Sequence, residues 1–278
     1  MTSNPKLVRE NLKKSYNAIA SDFSSTRNRA WPEFEYFAQF IQKGSKVLDL
    51  GCGNGRLYDS LKEYEIDYTG VDFSEELIAL AKQKYHQQDF VIQDMTKLDL
   101  NKQFEVIISI AAFHHIPTKR LRQKTLKLIS EHLKDDGVLM LSVWNLWQWK
   151  YWKAHAEAWK NWALSFFRSD PRDLNIPFGI EKVPRYYHAF MPYELRGLLK
   201  KSGFRVEESR VSGFNTLFVC RKHMASTRSH PLYIDEKAIA DSLGRSTAQG
   251  TTCNRVSSGP NDHRYWEYPL TLSAPRRF

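Results

Sequence analysis

Cysteine is scarce in this chain of 278 residues, which carries three. Cys52, Cys220 and Cys253 are far apart and form no Cys-x-x-Cys pair. That spacing argues against a disulfide framework and against a structural zinc site, so no metal is expected and buried, reduced thiols are the reading that remains. Long apolar runs are missing too. No stretch approaches the ~20 residues of a membrane span. The opening MTSNPKLVRENLKKSYNAIA lacks the apolar core of a signal peptide, so the expected location is the cytoplasm. Acidic residues are in deficit: 31 Asp and Glu against 41 Lys and Arg give a net charge of +10 and a pI near 9.4. Such an excess favours polyanions, and it also fits a merely solvated basic surface. The hydrophobic fraction, 42%, excludes a wholly disordered chain.

The order of the apolar runs carries more information. Residues 7–25 read as an amphipathic helix and a polar loop, with Leu12, Tyr16 and Ile19 at helical steps. Trp31-Pro32 opens a second helical stretch whose Phe34, Phe37, Phe40 and Ile41 face one way. Alternation then begins. Strands are predicted at Lys46–Leu50, Tyr68–Asp72, Asp89–Gln93, Val106–Ile110 and Val138–Val143. Helices are predicted at Asn54–Glu63, Glu75–Tyr85 (capped by Ser74) and Leu121–Leu133. Apolar strands alternating with helices predict a mostly parallel sheet covered on both faces. Residues 144–189 break the rhythm with crowded tryptophans and cations, and read as an insert, helical first and looped later. A helix at Pro192–Ser202 and an antiparallel edge hairpin, Phe204–Val211 with Phe214–Arg221, complete a domain over residues 1–222. Residues 223–278 have little periodicity and read as a disordered or non-native tail.

The densest chemistry lies in Val47-Leu48-Asp49-Leu50-Gly51-Cys52-Gly53-Asn54-Gly55, a hydrophobic strand running into a Gly-x-Gly-x-Gly turn. Glycines let backbone approach a ligand and adopt positive φ. Asp49 can hold an ammonium group. Asp72, followed by Phe73, closes the next strand about twenty residues on, where an acid binds ribose hydroxyls. Asp94 can accept from an adenine amino group, with Met95 packed on the ring, and Ser109 ends the fourth strand near the reacting centre. The loop differs from the Gly-x-Gly-x-x-Gly of dinucleotide folds. In this order the residues resemble the class I S-adenosylmethionine methyltransferases over roughly residues 45–145. The resemblance implies a Rossmann-like α/β fold with a seven-stranded sheet, and S-adenosylmethionine as cofactor.

Three further segments narrow the resemblance: Tyr16-Asn17-Ala18-Ile19-Ala20 through Phe23 to Arg27 and Trp31-Pro32; Ser109 to Ile116; and Arg185-Tyr186-Tyr187-His188-Ala189-Phe190. All three are similar to the tRNA wobble-uridine carboxymethyl methyltransferases, over about residues 8–222. That family esterifies the carboxylate of 5-carboxymethyluridine in the anticodon, and its eukaryotic members work with a small zinc-binding activator protein. The resemblance implies that His114, Arg185, Tyr186 and His188 lie near the substrate mouth. Arg185 would clamp carboxylate or phosphate, and Tyr186 would stack a splayed base. Tyr16, Arg27 and Trp31 would contact substrate. A carboxylate is already a nucleophile at neutral pH, so the absence of a Ser-His-Asp or metal constellation does not count against transfer. His115 reads as a core residue. Lys119-Arg120 and Arg122 read equally as phosphate contacts or a solvated face. The insert's tryptophans read mainly as packing residues, although Lys150, Lys153 and Lys160 interleave with them as on an RNA platform. A small-molecule methyltransferase with the insert as a lid, and a non-catalytic protein binding cofactor and RNA, are the competing readings.

Overall fold

The first helix begins at a proline. α1 (Pro5–Ala18) has Pro at its first turn, where a missing N–H is harmless, and the Asn4 side chain accepts from Lys6 N at 3.0 Å. The computed structural model describes residues 4–26, 32–179, 182–212 and 214–222, all within one compact unit, Met1–Thr227. Arg27, Trp31, Cys253 and the tail from residue 223 lie outside the described residues.

After α1 come α2 (Ala20–Ser25), α3 (Pro32–Ala38), β1 (Lys46–Leu50), α4 (Tyr58–Leu61), β2 (Asp67–Asp72), α5 (Glu75–Lys84), β3 (Asp89–Ile92) and β4 (Phe104–Ile110). They are followed by α6 (Lys119–His132), β5 (Leu133–Trp144), α7 (Trp152–Leu164), β6 (Asp173–Phe178), β7 (Val183–His188), α8 (Pro192–Lys201), β8 (Phe204–Ser212) and β9 (Asn215–Lys222). Seven strands form one sheet in the order β3-β2-β1-β4-β5-β9-β8. β1 to β5 run parallel, and β9 pairs antiparallel with both β5 and β8. The predicted sheet and its hairpin are therefore present, with β9 inside and β8 at the edge.

Side-chain alternation builds two cores. Leu48 and Leu50 point to one face, with Phe113, Ile129, Leu139 and Leu198. Val47 points to the other, with Phe37, Tyr68, Ile78 and Met140. Burial of each such side chain stabilises the fold by about 1.5–3 kcal/mol. Cys52 and Cys220 are buried free thiols, and burial pushes the Cys220 thiol up to about 12. Among the described residues no helix is long and apolar enough to cross a membrane.

The insert departs from expectation. After α7 it is a second, two-stranded sheet rather than a loop, with β6 and β7 paired antiparallel and Ile176 opposite Arg185. The alternation of residues 183–188 carries the strand signal, but Arg185 and Tyr187 on one face and His188 on the other are all buried, so it lacks the apolar–polar contrast of a half-exposed strand. The sheet packs on α7 through Leu146, Ala158, Leu174, Tyr187 and Ala189.

Candidate active site

A cavity of about 330 Å³ opens beyond the carboxyl ends of β1 to β4, where open α/β sheets bind ligands. Its floor is the glycine turn. Gly51 N and Cys52 N both donate to the Val71 carbonyl of β2, at 2.7 and 3.0 Å, which folds the turn across the sheet edge. Gly51, at φ 84°, needs the absence of a side chain: a Cβ there would stand 2.3 Å from that of Ala112. Asp72 organises the turn from β2, accepting from Gly53 N at 3.0 Å and Ser74 N at 2.9 Å. Burial raises its carboxyl, opposed by these N–H groups. Asp49 accepts from the buried Tyr68 hydroxyl at 2.8 Å. Burial pushes its carboxyl up to about 7, the Tyr68 bond opposing and the charge of Asp72 reinforcing. Among the described residues neither acid forms an ion pair, and the charge of Arg56, which also lines the cavity, opposes the rise at Asp49.

Asp49, Gly51, Cys52, Gly53, Asp72, Phe73, Asp94 and Met95 all line the cavity. Two expected cofactor residues do not. The Ser109 hydroxyl is buried within the sheet and donates to the Leu50 carbonyl at 2.8 Å, so Ile110, Ala111 and Ala112 form the wall instead. Gly55, at φ 75°, supports the turn from behind, since a Cβ there would stand 2.8 Å from the Phe90 ring. Ala111 holds a left-handed φ of 52° on the cavity wall, a strained conformation of the kind that gathers at functional sites.

The opposite wall comes from α1 and the β6–β7 sheet. Lys6, Arg9, Lys13 and Tyr16 line it at helical steps of three and four, a pattern that could have been read from the sequence. Arg9 donates to Asp94, the acid expected to take an adenine amino group, and to Thr96 Oγ1 at 3.0 Å. α1 is fixed by Asn17, which donates to Glu75 at 2.9 Å and accepts from Ser74 Oγ at 2.7 Å.

Arg185 lies 2% exposed on this wall. Its guanidinium carbon is 4.4 Å from the Phe178 ring centre, 5.3 Å from that of Tyr187, 5.6 Å from Tyr16 and 5.9 Å from Trp144. Nη1 donates to the Tyr16 hydroxyl at 3.3 Å, Nε has no partner, and among the described residues no carboxylate pairs with it. His115 Nδ1 lies 2.6 Å from the Tyr186 carbonyl, which can only accept. Burial drives the His115 ring down to about 3, the Tyr186 carbonyl opposing and Arg185 reinforcing, so the ring is neutral. Its Nε2 is then an acceptor, and Tyr16 donates to it at 2.8 Å.

This geometry corrects three expectations about the substrate mouth. His115, not His114, lines the cavity. His114 is fully buried, its Nδ1 accepting from Trp144 N at 3.1 Å, and burial lowers it well below the usual histidine range. Tyr186 points away from Arg185, because neighbours on a strand face opposite sides. Its hydroxyl donates to Asp173 at 2.7 Å and accepts from Arg122 at 3.2 Å, which holds it away from the cavity. His188, also fully buried, lies between Asp173 at 2.8 Å and Glu194 at 3.1 Å. Arg122 is neither a phosphate contact nor part of a solvated face. It is 2% exposed, donates to the Ile116 carbonyl at 2.9 Å and lies 3.6 Å from Asp173.

Over 193 residues the chain is 31% identical to a tRNA (carboxymethyluridine(34)-5-O)-methyltransferase of Arabidopsis thaliana, covering 66% of this chain and 46% of that protein. It is 29% identical over 174 residues to the Saccharomyces cerevisiae protein of the same name, covering 60% and 62%. The chain thus spans less than two thirds of these relatives. Its fold matches a SAM-dependent methyltransferase of Methanosarcina mazei with a TM-score of 0.60 at 19% identity, over 70% of this chain and 98% of that one. A family model described as a methyltransferase domain matches residues 23–209, two thirds of the chain, and the chain therefore belongs to the methyltransferase domain family.

Proposed function

We propose that this protein uses S-adenosylmethionine to methylate the carboxylate of 5-carboxymethyluridine at the wobble position of tRNA. The observation that carries the reading is Arg185: a buried cation on the cavity wall, held by aromatic rings, with no carboxylate of the described chain opposite it. A guanidinium so placed suits a carboxylate from outside. The relatives named above act, by name, on carboxymethyluridine, and the net charge of +10 suits tRNA.

The acidic floor fits the cofactor. Asp49 suits an amino-acid ammonium, Asp72 the ribose hydroxyls, and Met95 the adenine ring. When bound, S-adenosylmethionine supplies an electrophilic methyl group on a sulfonium. Arg185 orients a carboxylate oxygen without removing a proton, because that oxygen is already ionised. His115 and Tyr16 keep the Arg185 head in position. With the cofactor bound, its methyl would pass to that oxygen and its sulfur would leave as a thioether, so the part of these residues is positioning rather than base catalysis. The same reading takes residues 1–222 as the catalytic domain and the cytoplasm as its site of action.

The test is methyl transfer from labelled S-adenosylmethionine to bulk tRNA from cells lacking this gene, with a small zinc-binding activator protein added, the partner implied by the resemblance. Nucleoside mass spectrometry should find a new methyl ester on the wobble uridine. Bound cofactor with no label in tRNA, and turnover on small carboxylic acids instead, would overturn the proposal.

A further inference from the structure

The insert turns its tryptophans outward. Trp152, Ala156, Trp159 and Ala163 fall at steps of four and three and form one stripe along α7. Trp149, in the turn before the helix, is 84% exposed and stacks on Trp152 with ring centres 6.1 Å apart. Beyond the helix Phe166 and Phe167 are also exposed, both with left-handed φ, 52° and 65°. Large side chains rarely adopt that backbone, and burial does not explain it here. An apolar patch of this kind marks an interaction surface.

The charges beside it indicate what binds. Three of the four exposed tryptophans of the insert are followed by a lysine, Trp149-Lys150, Trp152-Lys153 and Trp159-Lys160, whereas Trp147 is followed by Gln148. Glu157 is the only acid in residues 149–168. Among the described residues none of these lysines makes an ion pair. Instead Lys153 lies 5.7 Å from the Trp152 ring centre, and Lys150 4.0 Å from that of Phe214. A repeated ring and ammonium matches the repeated base and phosphate of an unpaired strand. The helix that carries this face is also anchored to the cavity wall through a buried core. Trp144, which lines the cavity, stacks on Tyr187 at 5.0 Å, and Tyr187 shares a small core with Ala158 of α7.

We propose that this tryptophan–lysine face binds single-stranded RNA flanking the nucleotide held in the cavity, an inference that rests on the tRNA reading for the identity of that RNA. The probe is an unstructured, fluorescently labelled RNA oligonucleotide, titrated by anisotropy at several salt concentrations. The proteins are the full chain and two variants, Trp152→Ala with Trp159→Ala and Lys153→Glu with Lys160→Glu. The tryptophan variant should bind at least about tenfold more weakly, because each lost stacking contact is substantial. The lysine variant should lower the slope of log affinity against log salt by about 1.4, two phosphate contacts' worth. Cofactor affinity should not change in either.

Unchanged RNA binding by the tryptophan variant would overturn the proposal, as would tighter binding of the wild type to phosphatidylserine vesicles than to RNA. Tryptophan-dependent RNA binding without methylation of any tRNA would support this surface while removing the function proposed above. Methylation of tRNA with an unchanged KM in the tryptophan variant would do the reverse.

Discussion

Arg185 donates to the Tyr16 hydroxyl across 3.3 Å and so joins the hairpin to the first helix, over 169 positions of sequence. The bond makes a definite kinetic prediction. Arg185→Ala should lower kcat/KM for tRNA by about a hundred- to thousandfold, the usual loss when a preorganised charge partner is removed, and leave cofactor affinity unchanged. Arg185→Lys should not restore it, because an ammonium cannot reproduce the planar head among its rings. Tyr16→Phe should cause a smaller loss. Steady-state kinetics with calorimetric cofactor titration would decide, and full activity in Arg185→Ala would remove this residue from the site.

Asp49 gives the cofactor site a pH dependence. Burial raises its carboxyl to about 7, so the acid is substantially protonated below that pH in the empty protein. An ammonium ligand needs the ionised form. Cofactor affinity should therefore fall by up to about tenfold per unit as pH drops below 7, and Asp49→Asn should flatten the profile. The linkage to stability has the opposite sign. A carboxyl raised on folding contributes stability below its unfolded value, 3.8, and loses it as pH rises towards about 7. The empty wild type should thus lose stability over that window relative to Asp49→Asn. Calorimetric titrations and melts across pH test both arms.

Gly51→Ala should be far more damaging than Gly44→Ala. Both glycines have positive φ, 84° and 77°, but the new Cβ meets Ala112 at 2.3 Å in the first case and nothing within 4 Å in the second. Overpacking adds about 1–3 kcal/mol to the shared backbone strain. Denaturant midpoints would show the difference, and equal midpoints would refute the packing argument.

Arg122→Met should destabilise the fold by about 3–5 kcal/mol, because it strips a buried cation from Asp173 and Tyr186. Cofactor affinity should be retained where the variant remains folded. An unchanged denaturation midpoint would show the network to be dispensable.

The cavity floor was readable because its residues are local in the chain. Glycine turn, Asp49, Asp72, Asp94 and Met95 follow strand ends, and alternation places those ends on one edge. The opposite wall was not, because it is assembled from α1, the turn after β4 and the β6–β7 sheet. Adjacent histidines show the difficulty. The single 3-10 turn Phe113–His115 sends His115 to the cavity and His114 inward, a choice fixed by Tyr16 and Trp144 rather than by neighbours in sequence. Likewise Arg185 and Tyr187 on one face of β7 and His188 on the other are all buried, so its alternation could not tell which side met the cavity. Ser109 failed for a simpler reason, its hydroxyl being used by the Leu50 carbonyl.

The bond between Tyr16 and Arg185 also sets a timetable for synthesis. Tyr16 leaves the ribosome long before Arg185, while the acidic floor needs nothing beyond Ala112 and can form between the two. A nascent chain can therefore acquire the pieces of the acidic floor while still lacking Arg185 on the opposite wall. Chains ending before the hairpin lack that wall, and the cavity is complete only when its last-made wall meets the first.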